Sequence, residues 1–302
     1  MSRPVTSVFL TAALALAAPA IQAKEASLLP ANFINDTGSV ERIESGEHLR
    51  IYSQQVAAAA CFFYNGIDTE HSAEIMNEAR TGFDVHLAAL TNGDETLGII
   101  GGEERRKTIV QLEEIKALWS EMAQSVDALM TSSDDSSAVN VIKDQNMPLF
   151  ELTNILVSDL EGQYANPVEL TQADVLTIEI VGRQAALTQV IAKNACKIWS
   201  GRDSAEILQD LDSAISVYET SLNALLNGMP EVGLAPAPTD EIAAGLTQVL
   251  ADWSEIRPII DAIKGGSISE ADLTYLFRHM ADEMHTLEDV THQYVLLSKK
   301  QY

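Results

Sequence analysis

The chain repeats itself. Cys61 aligns with Cys196 at a shift of 135 residues, and that shift also pairs Ser53-Gln54 with Thr188-Gln189 and Asn65-Gly66 with Ser200-Gly201. It carries Leu87 to Gly93 onto Leu222 to Gly228, and a shift of 134 carries Trp119-Ser120-Glu121 onto Trp253-Ser254-Glu255. A tandem duplication constrains the fold more than any local pattern, because what one copy builds the other must build too.

Within each copy the apolar residues recur at steps of three and four, the period of a helix with one buried face. Leu112, Ile115, Trp119, Met122, Val126 and Leu129 form one such stripe, matched by Leu246, Val249, Trp253, Ile256, Ile260 and Ile263. Met76, Arg80, Phe83, Leu87 and Leu90 echo Leu211, Ile215, Tyr218, Leu222 and Leu225. A closing stripe of Phe150, Val157, Leu160 and Tyr164 is set against Phe277, Met284, Leu287 and Thr291, and opening helices carry Leu49, Tyr52, Val56 and Phe63 against Leu187, Ile191 and Ile198. Four amphipathic helices enclose one bundle core. The expected fold is therefore all-α, two tandem antiparallel four-helix bundles over residues 24–166 and 167–302. Turns fall at Asn92-Gly93 through Gly101-Gly102, at Asn227-Gly228 through Pro236-Ala237-Pro238, at Thr131 to Ser137 and at Lys264 to Ser267. Ser269 with Asp272 has the spacing of a capping pair, and Asn166-Pro167 separates the copies.

Residues 1–23 run from Arg3 through the apolar stretch Val8 to Ala18 to Ile21-Gln22-Ala23, the layout of a secretory signal peptide cleaved after Ala23. Export to the periplasm follows. After Ala23 no apolar run is read as reaching the roughly 18 residues of a membrane span, so no direct span is expected in the mature chain. Cys61 and Cys196 would then meet an oxidising compartment, where both a disulfide and buried free thiols are open; the apolar helical surroundings favour free cysteines acting as small hydrophobes.

Composition removes several partners. The 302 residues hold 44 Asp+Glu against 19 Lys+Arg, a formal charge of −25. Nucleic acid and anionic membrane surfaces both need a basic footprint. A hydrophobic fraction of 46% is too high for a disordered acidic tail. No strained G-x-S-x-G elbow and no phosphate-cradling G-x-x-x-x-G-K occur, so neither an enzyme nor a cofactor is expected. His285, Glu288, Asp289 and His292 share one face of the last helix at spacings that could ligate metal. Di-iron bundles need Glu-x-x-His on separate helices, and a solvated face is the preferred reading, with no metal.

The segment Gly182-Arg183-Gln184-Ala185-Ala186-Leu187-Thr188-Gln189-Val190-Ile191-Ala192-Lys193 resembles the opening helix of the PilJ-type domain, the N-terminal region of type IV pilus methyl-accepting chemotaxis transducers. Leu222 to Gly228, Pro236 to Asp240 and Trp253 to Pro258 resemble its later helices and loop, and the first copy is similar through His48-Leu49-Arg50-Ile51-Tyr52-Ser53-Gln54 and Ala79 to Asp84. The resemblance implies an extracytoplasmic sensory bundle related to the nitrate-sensing region of NarX-type histidine kinases. It implies a small-molecule anion such as nitrate or nitrite as ligand, and a membrane-bound receptor or envelope protein as partner. Arg50 lies where that region places its anion-binding arginine, and guanidinium geometry suits a planar oxyanion. The candidate ligand-binding residues are Arg50, His48, Ser53, Arg80 and Arg183. Ala185 stands where a second-copy arginine would be, and Arg183, two residues earlier, lies about 200° around the helix. A competing reading has Arg50 paired on the surface with Glu47 or another acid. Arg80 either meets a partner in the core or snorkels while Ala79 takes the core place. Two other classes of function stay open: a structural or interaction bundle of the cell envelope, and a metal-binding bundle.

Overall fold

In the computed structural model, residues 38–164, 171–202 and 204–300 are described, so the leader expected at residues 1–23 and the Asn166-Pro167 junction lie outside them. Eight α-helices run through these residues: α1 Ser39–Tyr64, α2 Thr69–Asn92, α3 Arg106–Thr131, α4 Ser136–Tyr164, α5 Gln172–Trp199, α6 Ala205–Asn227, α7 Asp240–Lys264 and α8 Glu270–Lys300. The fold is all-α. In the first copy α1 packs on α2 and α4, and α3 on both of those; α5, α6, α7 and α8 repeat the ring. The residues of the Leu112 and Leu246 stripes are buried, as the three-and-four spacing requires.

The duplication extends to backbone detail. Asp94 pairs with Ile99 in an isolated bridge around a 3-10 turn at Glu95–Leu97, and Met229 pairs with Leu234 around a 3-10 turn at Pro230–Val232. Gly98 and Gly233 follow these turns at φ of 72° and 80°, a left-handed conformation in which a side chain would be strained. Ser269 and Asp272 do cap α8: the Asp272 amide donates to Ser269 Oγ at 3.2 Å, and Ser269 Oγ donates to Asp272 Oδ2 at 2.6 Å.

A clamp ties the second helix of each copy to the third. Trp119 Nε1 donates to Asp84 at 2.7 Å, and Trp253 Nε1 donates to Glu219 at 3.1 Å. Arg80 joins Asp84 to Asp127, while in the second copy Arg257 joins Glu219 to Asp261. The acids occupy matched positions, but the arginine comes from α2 in one copy and from α7 in the other. Ala79 takes the core place at 0% exposure, which leaves Arg80 on the outside in its snorkelling position.

Three expectations need correction. Cys61 and Cys196 are disulfide-bonded, with Cα atoms 6.3 Å apart, because α1 and α5 run parallel and side by side and bring these matched positions together. The helical surroundings that suggested free thiols are the walls of that contact. The helix α5 is, by length and composition, long and apolar enough to cross a membrane; here most of its apolar residues are buried against α1, α6 and α8. Finally, α4 and α8 begin 134 residues apart, so setting Phe150 against Phe277 slips the register by seven residues. Seven residues are close to two turns, which returns nearly the same face and hides the slip from periodicity.

Candidate functional site

Helix α1 is covered by α2, α4 and α5, so even its polar residues Glu47, Arg50, Ser53, Gln54 and Gln55 are buried. Buried polar groups must find partners. Arg50 is 1% exposed and makes an ion pair with Glu47 one turn earlier. Its guanidinium also lies 3.5 Å from Glu179 Oε1 and 3.5 Å from Asn154 Oδ1, and donates to the Glu179 carbonyl at 3.4 Å. Its Nε has no partner. Space for this pair comes from α5: a Cβ on Gly182 would sit 2.7 Å from the Glu47 carboxyl carbon. Glu47 and Gly182 are matched by the 135-residue shift, so one copy supplies the charge and the other the vacancy.

Above Arg50 opens a cleft of about 660 Å³ between α1, α4 and α5, lined among others by Asn154, Glu161, Gln172, Glu179 and Arg183. Arg183 is exposed and pairs with Glu179. Glu179 therefore bridges both arginines. Burial pushes the Glu47 carboxyl up to about 8, with Arg50 opposing and Glu179 and Glu161 adding to the rise. Burial and then Glu179 push Glu161 up to about 7, and its buried Oε1 is without a partner. The cleft thus presents donors on two guanidinium groups beside acceptors on two carboxylates, over a floor the solvent does not reach.

Of the five expected residues, only Arg50 and Arg183 meet. The rotation that parts Arg183 from the Arg50 position within its own copy does not keep it from the cleft, because α5 lies against α1. Arg50 does pair with Glu47, although in the interior and not on the surface. Ser53 is fully buried, with Oγ donating to the Arg50 carbonyl at 2.7 Å, so it faces α1's own backbone. His48 turns away toward α2 and α8, its ring 4.3 Å from His86 and its Nε2 4.0 Å from Glu288. Burial and then His86 hold the His48 imidazole well below the ordinary histidine value, so at neutral pH it offers an anion no charge. Arg80 stands in the α2 to α3 clamp. Glu161, Glu179 and Asn154 were not singled out from the sequence. Glu179 could have been, since it precedes Arg183 by four residues, the spacing of a helical ion pair.

On α8, His285 Nδ1 lies 3.1 Å from Glu288 and His292 Nδ1 lies 3.0 Å from Glu44 of α1, while Asp289 is exposed. Among the described residues no group of three or more such side chains could hold a metal ion.

Residues 171–274, from α5 into the start of α8, match the family model PilJ, described as the type IV pili methyl-accepting chemotaxis transducer N-terminal domain. No curated protein matches the chain. The second copy is thus similar to a PilJ-type domain over these residues, and the match suggests a sensory or signalling role. The first copy is tied to it by the internal repeat and by the shared helix order and turns.

Proposed function

We propose that this chain is an exported sensory module of two PilJ-type bundles, which binds a small ligand in the cleft over Arg50 and Arg183 and relays binding to a membrane-bound partner. The observation that carries the reading is a buried arginine with a free Nε, at the floor of an open cleft where the two copies touch. A guanidinium cannot shed its charge, so holding it in an interior with one donor unmet is a cost that a ligand would offset. Binding at the α1 to α5 contact also gives a route to signalling, because a ligand that prefers one arrangement of two packed helices shifts their equilibrium. The Cys61–Cys196 disulfide supports export, since such bonds persist in oxidising compartments.

The ligand chemistry follows from the donors and acceptors. Nitrate and nitrite only accept hydrogen bonds, and either must compete with Glu47 and Glu179 for the arginines. A small ligand carrying an anionic group together with an N–H or ammonium donor uses Arg50 Nε and Arg183 on one side and Glu161 on the other. Calorimetric titration with nitrate, nitrite and small amino acids is the test. The reading predicts saturable binding of one of these ligands that Arg50→Ala abolishes; binding that survives Arg50→Ala, or none in the wild type, removes it.

A further inference from the structure

On a chain with 44 acids and 19 bases, most basic side chains have a carboxylate at hand. Around the disulfide end of α5 the balance reverses: Lys143, Lys193, Lys197 and Arg202 gather about one small cavity and none is ion-paired among the described residues, although Asp210 lies near enough to act on Lys193 and Lys197. Lys193 is 2% exposed. Its ammonium donates to Gln54 Oε1 at 2.5 Å and Asn146 Oδ1 at 2.7 Å, both neutral amides, and its third side faces only Met147 Sδ at 3.7 Å, a weak acceptor. Burial first, then Lys197, holds the Lys193 amine well below the ordinary lysine value.

Lys193 and Lys197 also form the charged end of a groove of about 480 Å³ between α4, α5 and α6. Its walls are largely apolar, with Met147, Phe150, Leu187 and Val190 on one side and Val217, 44% exposed, on the other, while Asp210, Asn194 and Ser213 also line it. A simple inorganic anion would leave these walls wet, and an organic cation would meet the lysines. Asp210 also lines this end and offsets only part of the charge of the two lysines, so an apolar surface that ends at net positive charge fits a molecule of the same polarity.

We propose that this groove binds an amphipathic monoanion, a medium-chain carboxylate, with its carboxylate at Lys193 and Lys197 and its chain against Phe150, Leu187, Val190 and Val217. The site is separate from the cleft over Arg50, although Asn154 and Arg183 border both. The carboxylate completes the third donor of Lys193 and adds to the counter-charge that Asp210 supplies only in part. The alkyl chain covers side chains that otherwise face solvent.

Calorimetric titration of the protein with decanoate, decan-1-ol and acetate tests the assignment. Decanoate is expected to bind saturably, at least about tenfold tighter than decanol, the range of a hydrogen bond to a charged partner, with acetate weaker still. Lys197→Met should bring decanoate down to the level of decanol, and Lys193→Met should do so where circular dichroism shows the fold intact. Val217→Glu should weaken decanoate, while the exposed Lys116→Met and the cleft variant Arg50→Met should leave it unchanged. Equal binding of decanoate and decanol, a Lys197→Met protein that binds decanoate as the wild type does, or no saturable binding would each overturn the proposal. The Arg50→Met arm keeps failure here distinct from failure of the other cleft.

Discussion

The two copies solve one joint alike and another in opposite ways. At the clamp between the second and third helices, both keep a tryptophan and two acids at matched positions, yet Arg80 reaches them from α2 and Arg257 from α7. What is retained is the cross-link, and the residue that supplies it is free to move. At the contact between α1 and α5 matched positions face each other: the small Cys61 and Cys196 bond, but two bulky residues at the Glu47 position would collide. Glu47 occupies the space that Gly182 leaves, and Arg50 occupies a register where the second copy has Ala185. Where the copies touch, symmetry is kept at the bonded Cys61 and Cys196 and broken at Glu47 and Gly182, where two large side chains do not fit. The candidate cleft lies at that break.

The largest effect expected from disturbing this asymmetry comes from Glu47→Ala. It leaves Arg50 buried with Glu179 as its remaining ion-pair partner, and above about pH 8, where Glu47 is ionised, breaking a buried pair from the acid side costs about 3–5 kcal/mol, read as a lower denaturant midpoint. Arg50→Met should cost less, because Glu47, already pushed up to about 8, can take a proton and stay buried as a neutral group. Equal costs would contradict the asymmetry. Removing the disulfide with Cys61→Ala and Cys196→Ala releases a 135-residue loop and should lower stability by about 2–5 kcal/mol in thermal unfolding.

The pH dependence follows with a definite sign. Burial pushes the carboxyls of Glu47 and Glu283 up to about 8, from an unfolded value near 4.5. The native protein therefore keeps protons that the unfolded chain has released, and stability should fall as pH rises between about 4.5 and 8. Glu283 is buried under Tyr218, whose hydroxyl donates to it at 2.6 Å. Urea midpoints across that window should decline in the wild type and decline less in Glu47→Gln and in Glu283→Gln; unchanged slopes would break the account of both groups.

The smallest effect is at the clamp. Arg80→Ile, which imitates Ile215, should cost about 0.5–1 kcal/mol, as partly exposed ion pairs do. Adding Ala123→Arg at the position matching Arg257 should restore it, and no restoration would mean that the two clamps are not equivalent.

The helices, their order and the turns were legible because buried stripes impose a period and Gly-rich turns impose a conformation; both survive duplication, so each copy checked the other. The pairing of α1 with α5 was not legible. Periodicity shows which face of a helix is buried but not what buries it, and α1, buried on nearly every side, has no single face to find. The disulfide and the Glu47 to Gly182 fit both follow from that pairing, which is why Cys61 and Cys196 read as free and Arg50 as a surface charge. The resemblance placed Arg50 and Arg183 on the opening helices of the two copies, and both line the cleft, but the acids that share it come from α4 and α5, and only a fold brings them there. His48, Ser53 and Arg80 sit near Arg50 in sequence or pattern and face other neighbours.

The proposed sensing of a ligand where the two copies meet rests on Arg50. Thermal unfolding of the wild type, Arg50→Met and Arg80→Ile against nitrate, nitrite and small amino acids tests it most directly, since a ligand that binds the native state raises the midpoint. The account predicts a rise for one ligand in the wild type and in Arg80→Ile and none in Arg50→Met. The same rise in all three proteins, or no rise in any, would contradict it.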